Sequence, residues 1–164
     1  MNVWIENIIR YIVLLLLQVL LVNNMQFMGV CSPCIYLLFL LLLPVGLPRW
    51  VELIIGFLTG LVMDIFCNTL GIHAAACVLV AYLRPLLIRN MVSENDRLTG
   101  TPTRSSFGLS TFVKFVVILV LVHHSALFIL LAFSWHNWWV TLLQIVVSSL
   151  VSVFIFIGQD FLRR

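Results

Sequence analysis

Charge is what this sequence has least of. Of 164 residues, Lys and Arg number 9 and Asp and Glu 6, only 9% in all, against a 63% apolar share and a mean hydropathy of +1.18. A soluble domain is about one quarter charged, and one small core cannot hide this apolar excess. The chain therefore reads as a polytopic membrane protein. Its net charge is +3, with the basic residues scattered in ones and twos. No basic stripe follows a phosphate backbone, so nucleic-acid binding has no support. No alternation of apolar and polar residues marks the long runs, which excludes a transmembrane β-barrel and leaves helices. No small-residue cleavage site follows the first run, where Asn23-Asn24-Met25-Gln26-Phe27 stands instead, so that run is expected to stay as a helix. There is no internal repeat, and no set of ligand residues at convincing metal spacing. Neither a metal nor another cofactor is expected.

What is present is apolar length. A spanning helix needs about 20 mostly apolar residues, and six runs approach that: Ile5–Val22, Met28–Leu43, Trp50–Cys67, Gly71–Ile88, Phe112–Trp135 and Trp138–Gly158. The second is short and would borrow from its flanks or thin the bilayer. Pro44 to Pro48 and Asn68 to Gly71 punctuate the boundaries. Trp50, Trp135, Trp138 and Trp139 fall where interfacial aromatic belts are expected. With six spans both termini share one side. That side holds Arg10, Arg49, Arg84, Arg89, Arg97, Arg104, Lys114, Arg163 and Arg164, all nine basic residues, and the other side holds none. The positive-inside rule then makes both termini cytoplasmic. The one loop of any size, Arg89 to Thr111, reads as a solvated linker or as a docking segment for a partner.

Against this background a few polar residues stand out. Asp64 lies in an apolar run, where a carboxylate costs roughly 2.5–3.5 kcal/mol at a helix centre. Gly56, Gly60 and Asp64 fall at four-residue steps along one helix flank, and small residues at that spacing let another helix approach closely. After the short turn, His73, Cys77 and Ala81 form a similar stripe. Asp64 and His73 are thus expected at the same end of an antiparallel hairpin. A carboxylate–imidazole hydrogen bond, or a shared bond to turn amides, would satisfy both. The pair either pins the hairpin or presents it to a partner's segment. A proton relay would need titratable groups strung across the membrane.

His123 and His124 are neighbours on a helix, so at most one is expected to meet the bundle interior, in packing or an interhelical hydrogen bond. Arg84-Pro85 reads as a helix stop in which Arg84 snorkels to headgroups, an interfacial anchor like Trp50 and Trp135. Gln18 is expected to face another helix rather than lipid. Cys31-Ser-Pro-Cys34 has redox-motif spacing, with Cys67 and Cys77 near the hairpin. Two such pairs would suit a membrane thiol oxidoreductase, although cysteine is also an ordinary small filler in membrane helices.

The run Gly56-Phe-Leu-Thr-Gly60-Leu-Val-Met-Asp64, the turn with Leu70-Gly71, and His73-Ala74 resemble the central motif of the MreD family, the rod shape-determining membrane proteins. Pro33-x-x-Tyr36 at the opening of the second run, Leu83-Arg84-Pro85 at the close of the fourth, and the six-span layout extend the likeness. Cys31 and Cys34 have no place in it. The resemblance implies a non-enzymatic scaffold of the bacterial cell-wall elongation machinery, in the cytoplasmic (inner) membrane, that helps position peptidoglycan synthesis. Its implied partners are MreC and, through it, MreB, with RodA and a penicillin-binding transpeptidase in the same assembly. Gly56, Gly60, Asp64, Leu70, Gly71, His73 and Ala74 would form the hairpin or partner contact. The family is also similar in fold to the substrate-binding subunits of vitamin transporters. A vitamin-uptake subunit is therefore the alternative, with a pocket near the outer face lined by groups such as Asp64, His73, Trp135, His136 and Asn137.

Overall fold

In hydrocarbon a backbone must satisfy its own polar groups, and long apolar runs do so as helices. The computed structural model describes residues 3–23, 31–92, 100–132 and 138–162. These are mostly helical, without strands. Helix α1 (Val3–Leu17) runs on through a π-helical turn, Gln18–Val22. A short α2 (Leu37–Leu41) follows, then α3 (Arg49–Cys67) and α4 (Ile72–Met91). The one-turn α5 (Arg104–Phe107) leads into α6 (Leu109–Ala132), and α7 (Trp138–Leu162) closes the bundle. Helices α3, α4, α6 and α7 are long and apolar enough to cross a membrane, and Asn7–Val22 is a shorter apolar helix.

Helix α6 is central, packed against α4, α7, α5 and α2. Its buried arc is wide, taking in Phe112, Phe115, Val116, Leu119, Val120, His123, His124, Leu127 and Phe128. That width corrects the expectation for the histidine pair. Both His123 and His124 are wholly buried, because adjacent residues about 100° apart fit inside one arc when neighbours cover the helix on several sides.

The second apolar run is the main departure from expectation. Within its described part only Leu37–Leu41 is helical, and every side chain from Tyr36 to Leu43 is buried. It therefore does not form a lipid-facing helix over Met28–Leu43. Its residues 28–30 lie outside the described residues. A short helix that is apolar all round belongs inside a bundle.

Non-helical backbone at membrane depth is tolerated only where protein groups satisfy it, and here they do. Gln18 Oε1 accepts from the Ile35 N–H at 2.6 Å, and Gln18 Nε2 donates to the Pro33 carbonyl at 3.2 Å. From α7, Ser148 Oγ accepts from the Ser32 N–H at 3.0 Å and Ser152 Oγ from the Cys34 N–H at 3.2 Å. Gln18 thus turns inward, toward this segment.

The far end of the segment is held by Arg84. Its guanidinium donates to the Leu41 and Leu43 carbonyls and to Glu52 Oε1, the last at 2.8 Å. Arg84 is 1% exposed. It is therefore no snorkelling anchor, because the uncapped carbonyls after α2 and the α3 carboxylate draw it inward. Nor does Arg84-Pro85 stop the chain. Helix α4 continues through Pro85 to Met91, as membrane helices do when their neighbours absorb the lost hydrogen bond.

The expected loop from Arg89 to Thr111 is also shorter than its composition suggests. Its first residues extend α4, and its last begin α6 at Leu109. Between them Thr103 caps α5 through a reciprocal capping box with Ser106. Phe107 is buried and meets Phe115 edge-on. The Arg104 guanidinium lies 4.1 Å over the Phe161 ring and 3.7 Å from Asp160. The Val45 N–H donates to the Gly100 carbonyl. Residues 100–108 are thus fastened to the bundle; residues 93–99 lie outside the described residues.

Candidate functional site

The α3–α4 hairpin is built around Asp64. Helix α3 ends at Asn68, whose left-handed backbone (φ 53°) lets its N–H and that of Thr69 return to the Asp64 carbonyl. Gly71, at φ 81°, then opens α4. The first amides of a helix have no partner within it, and the Asp64 carboxylate supplies one from outside. It accepts from the His73 N–H and the Ala74 N–H, each at 2.9 Å, and from the Thr69 hydroxyl at 2.5 Å. A carboxylate there also suits the positive end of the helix dipole. His73 Nδ1 lies 3.2 Å from Asp64 Oδ1 and 2.8 Å from Thr69 Oγ1. Thr69 has one proton and gives it to Asp64, so the network assigns the shared hydrogen to His73 Nδ1.

The glycines bring the two helices together. A Cβ on Gly60 would lie 2.4 Å from Ala74 Cα and 2.5 Å from the His73 carbonyl oxygen. On Gly56 it would lie 2.8 Å from Ala81 Cβ and 3.1 Å from the Cys77 oxygen. Gly56, Gly60, Asp64, His73 and Ala74 thus serve one internal contact. Leu70, at the tip, contributes nothing to it and is fully exposed (101%).

Beside the hairpin lies a second group of polar side chains, drawn from four elements. The Tyr36 hydroxyl is 2.9 Å from His123 Nε2, and Cys77 Sγ is 3.8 Å from the same nitrogen. His124 donates from Nδ1 to the Val120 carbonyl at 2.9 Å, leaving Nε2 facing Ser152 Oγ at 3.3 Å. Cys34 and the two histidines bring one donor atom each within 4.8 Å of one another. No spacing in the sequence groups these three, because residue 34 and residues 123–124 meet only when the broken segment packs on α6. His123 Nδ1 has no hydrogen-bond partner among the described residues.

A cavity of about 440 Å³ reaches this group from the hairpin end, lined in part by Gln18, Asn23, Ser32, Tyr36, Thr69 and His73. Of the pocket residues expected from the sequence, His73 lines it and Asp64 stands behind His73. Trp135, His136 and Asn137 lie outside the described residues. Trp50 is largely exposed at the opposite end of α3. Cys31 and Cys34 are free thiols, the first partly exposed and the second buried. Cys67 accepts from Asn23 Nδ2 at 3.4 Å. Tyr36 stands out in the sequence only through the Pro33-x-x-Tyr36 likeness and Thr69 only as part of a turn, while Ser148 and Ser152 do not stand out at all. Single hydroxyls within apolar runs carry little signal until their partners are known.

No family model, no curated protein and no solved structure matches this chain.

Proposed function

We propose that this chain is a non-enzymatic scaffold of the bacterial cell-wall elongation machinery, of the kind its hairpin motif resembles, with six membrane passes and both termini in the cytoplasm. In this reading the broken second segment counts as a pass, and the hairpin tip faces the periplasm. The observation that carries the proposal is the use made of Asp64. Its carboxylate is engaged by three N–H and O–H donors of the hairpin as well as the His73 ring, which fits a structural pin better than a catalytic acid or base. The pinned hairpin presents Ile65, Phe66 and Leu70, all exposed, as an apolar face for a single-span periplasmic partner such as MreC. MreB, RodA and a penicillin-binding transpeptidase would be reached through that contact or beside it.

Co-purification with MreC tests the contact. Leu70→Ser leaves the pin untouched and is expected to release MreC. Asp64→Leu is expected to release it by loosening the hairpin. Wild-type recovery of MreC with both variants would remove the proposal.

A second reading rests on the cavity. Its volume and mixed polar lining fall within the range of small-molecule sites, about 300–1,000 Å³, as a vitamin-uptake subunit would need. Saturable binding of a small vitamin to the purified protein, lost in Gln18→Leu, would favour it over the scaffold.

A further inference from the structure

We propose that Cys34, His123 and His124 form a buried site for a monovalent copper ion. The three donor atoms converge within 4.8 Å, from the broken segment and from two adjacent positions on α6, and all three residues are buried. Their chemistry is of one kind. A thiolate and two imidazoles select soft or borderline metals over magnesium or calcium.

Two details of the histidines point to a ligand. His124 gives its Nδ1 hydrogen to a backbone carbonyl, which fixes the tautomer and leaves an Nε2 lone pair, faced by Ser152 Oγ at 3.3 Å, that a metal would take over from the hydroxyl. Metal-ligating histidines are usually held in this way. His123 uses Nε2 toward Tyr36, while Nδ1 is buried with no partner among the described residues. Hydrogen bonds among the described residues thus leave one ring nitrogen of this buried histidine unsatisfied.

Charge and coordination number then choose the ion. Binding takes the Cys34 proton out to solvent and leaves one thiolate, two neutral imidazoles and the ion. With Cu(I) the site is neutral, whereas a divalent ion would leave a net positive charge in a low-dielectric interior. Neutrality with zinc would require a second anion, either another thiolate or a bound hydroxide. Cys77 comes near His123 but is outside the converging group. Three donors complete a Cu(I) site, whereas zinc on three protein ligands would need a bound water or hydroxide as its fourth. The cavity, whose wall includes Cys34 and Tyr36, gives the ion a route in from the hairpin end.

The test uses the purified full-length protein in detergent, titrated without oxygen with Cu(I) presented as its bicinchoninate complex. The wild type is expected to withdraw one Cu(I) per chain. Cys34→Ser and His124→Gln are expected to weaken the withdrawal at least tenfold, while Cys31→Ser and Cys67→Ser leave it unchanged. X-ray absorption of the copper-loaded wild type, which needs no variant to fold, is expected to find one sulfur and two nitrogen donors. Two sulfur donors, undiminished binding by Cys34→Ser, or retention of zinc in preference to copper would each overturn the assignment.

Discussion

The guanidinium of Arg84, in the middle of one long helix, donates to the carbonyl of Leu43, just past the end of another. It thereby satisfies backbone that α2 leaves open, while Glu52 neutralises it. Removing one partner of a buried ion pair costs about 3–5 kcal/mol. Arg84→Leu is expected to lose stability on that scale, and Arg84→Lys to recover only part of it, since an ammonium lacks the planar fork. Denaturant unfolding in mixed micelles measures this, and an Arg84→Leu protein as stable as wild type would contradict it.

Gly60→Ala is expected to be more damaging than Gly56→Ala. At Gly60 the added methyl meets Ala74 and His73 backbone, which cannot move without parting α3 from α4. At Gly56 the nearest atom is a side-chain methyl, that of Ala81. Overpacking of this kind costs about 1–3 kcal/mol, sometimes more. The same unfolding titration ranks the two, and equal losses would show that the helices separate readily.

Asp64→Asn keeps an acceptor for part of the network and is expected to be mild. Asp64→Leu leaves the His73 and Ala74 amides and the Thr69 hydroxyl without it, at about 1–3 kcal/mol for each group left buried and unpaired. Hydrogen exchange at the start of α4 reads this directly. Fast exchange of the His73 and Ala74 amides is the expected result in the Leu variant, whereas in the Asn variant only the amide that faces the new NH2 group quickens and the other stays slow.

How much of this was legible in the sequence depended on how local the physics was. The Asp64 hairpin was legible because its glycines, carboxylate, turn and histidine lie within 18 residues and their spacing reports which face they share. Four long apolar helices followed from run length alone. The fate of Leu37–Leu43 was not legible. An apolar run reads the same whether lipid or protein surrounds it, and only the polar side chains of Gln18, Arg84, Ser148 and Ser152, each distant in sequence, reveal which. Arg84 departs from its expected snorkelling role for the same reason: its partners Leu41, Leu43 and Glu52 are set by packing, not by neighbourhood along the chain.

If the chain makes six passes with cytoplasmic termini, a fluorescent protein fused after Arg164 will fluoresce, and alkaline phosphatase fused there will stay inactive. A cysteine at Asn68, in a chain lacking the four native thiols, will react with an impermeant maleimide added outside the cell. Protection of that cysteine in intact cells would reverse the proposed orientation.

The most direct measurement is depletion of the protein in its own bacterium, followed by imaging of cell shape with a fluorescent wall-precursor label. The scaffold account predicts that rods round up and that labelled insertion loses its sidewall pattern. Rods that keep their shape and sidewall insertion after depletion would contradict it.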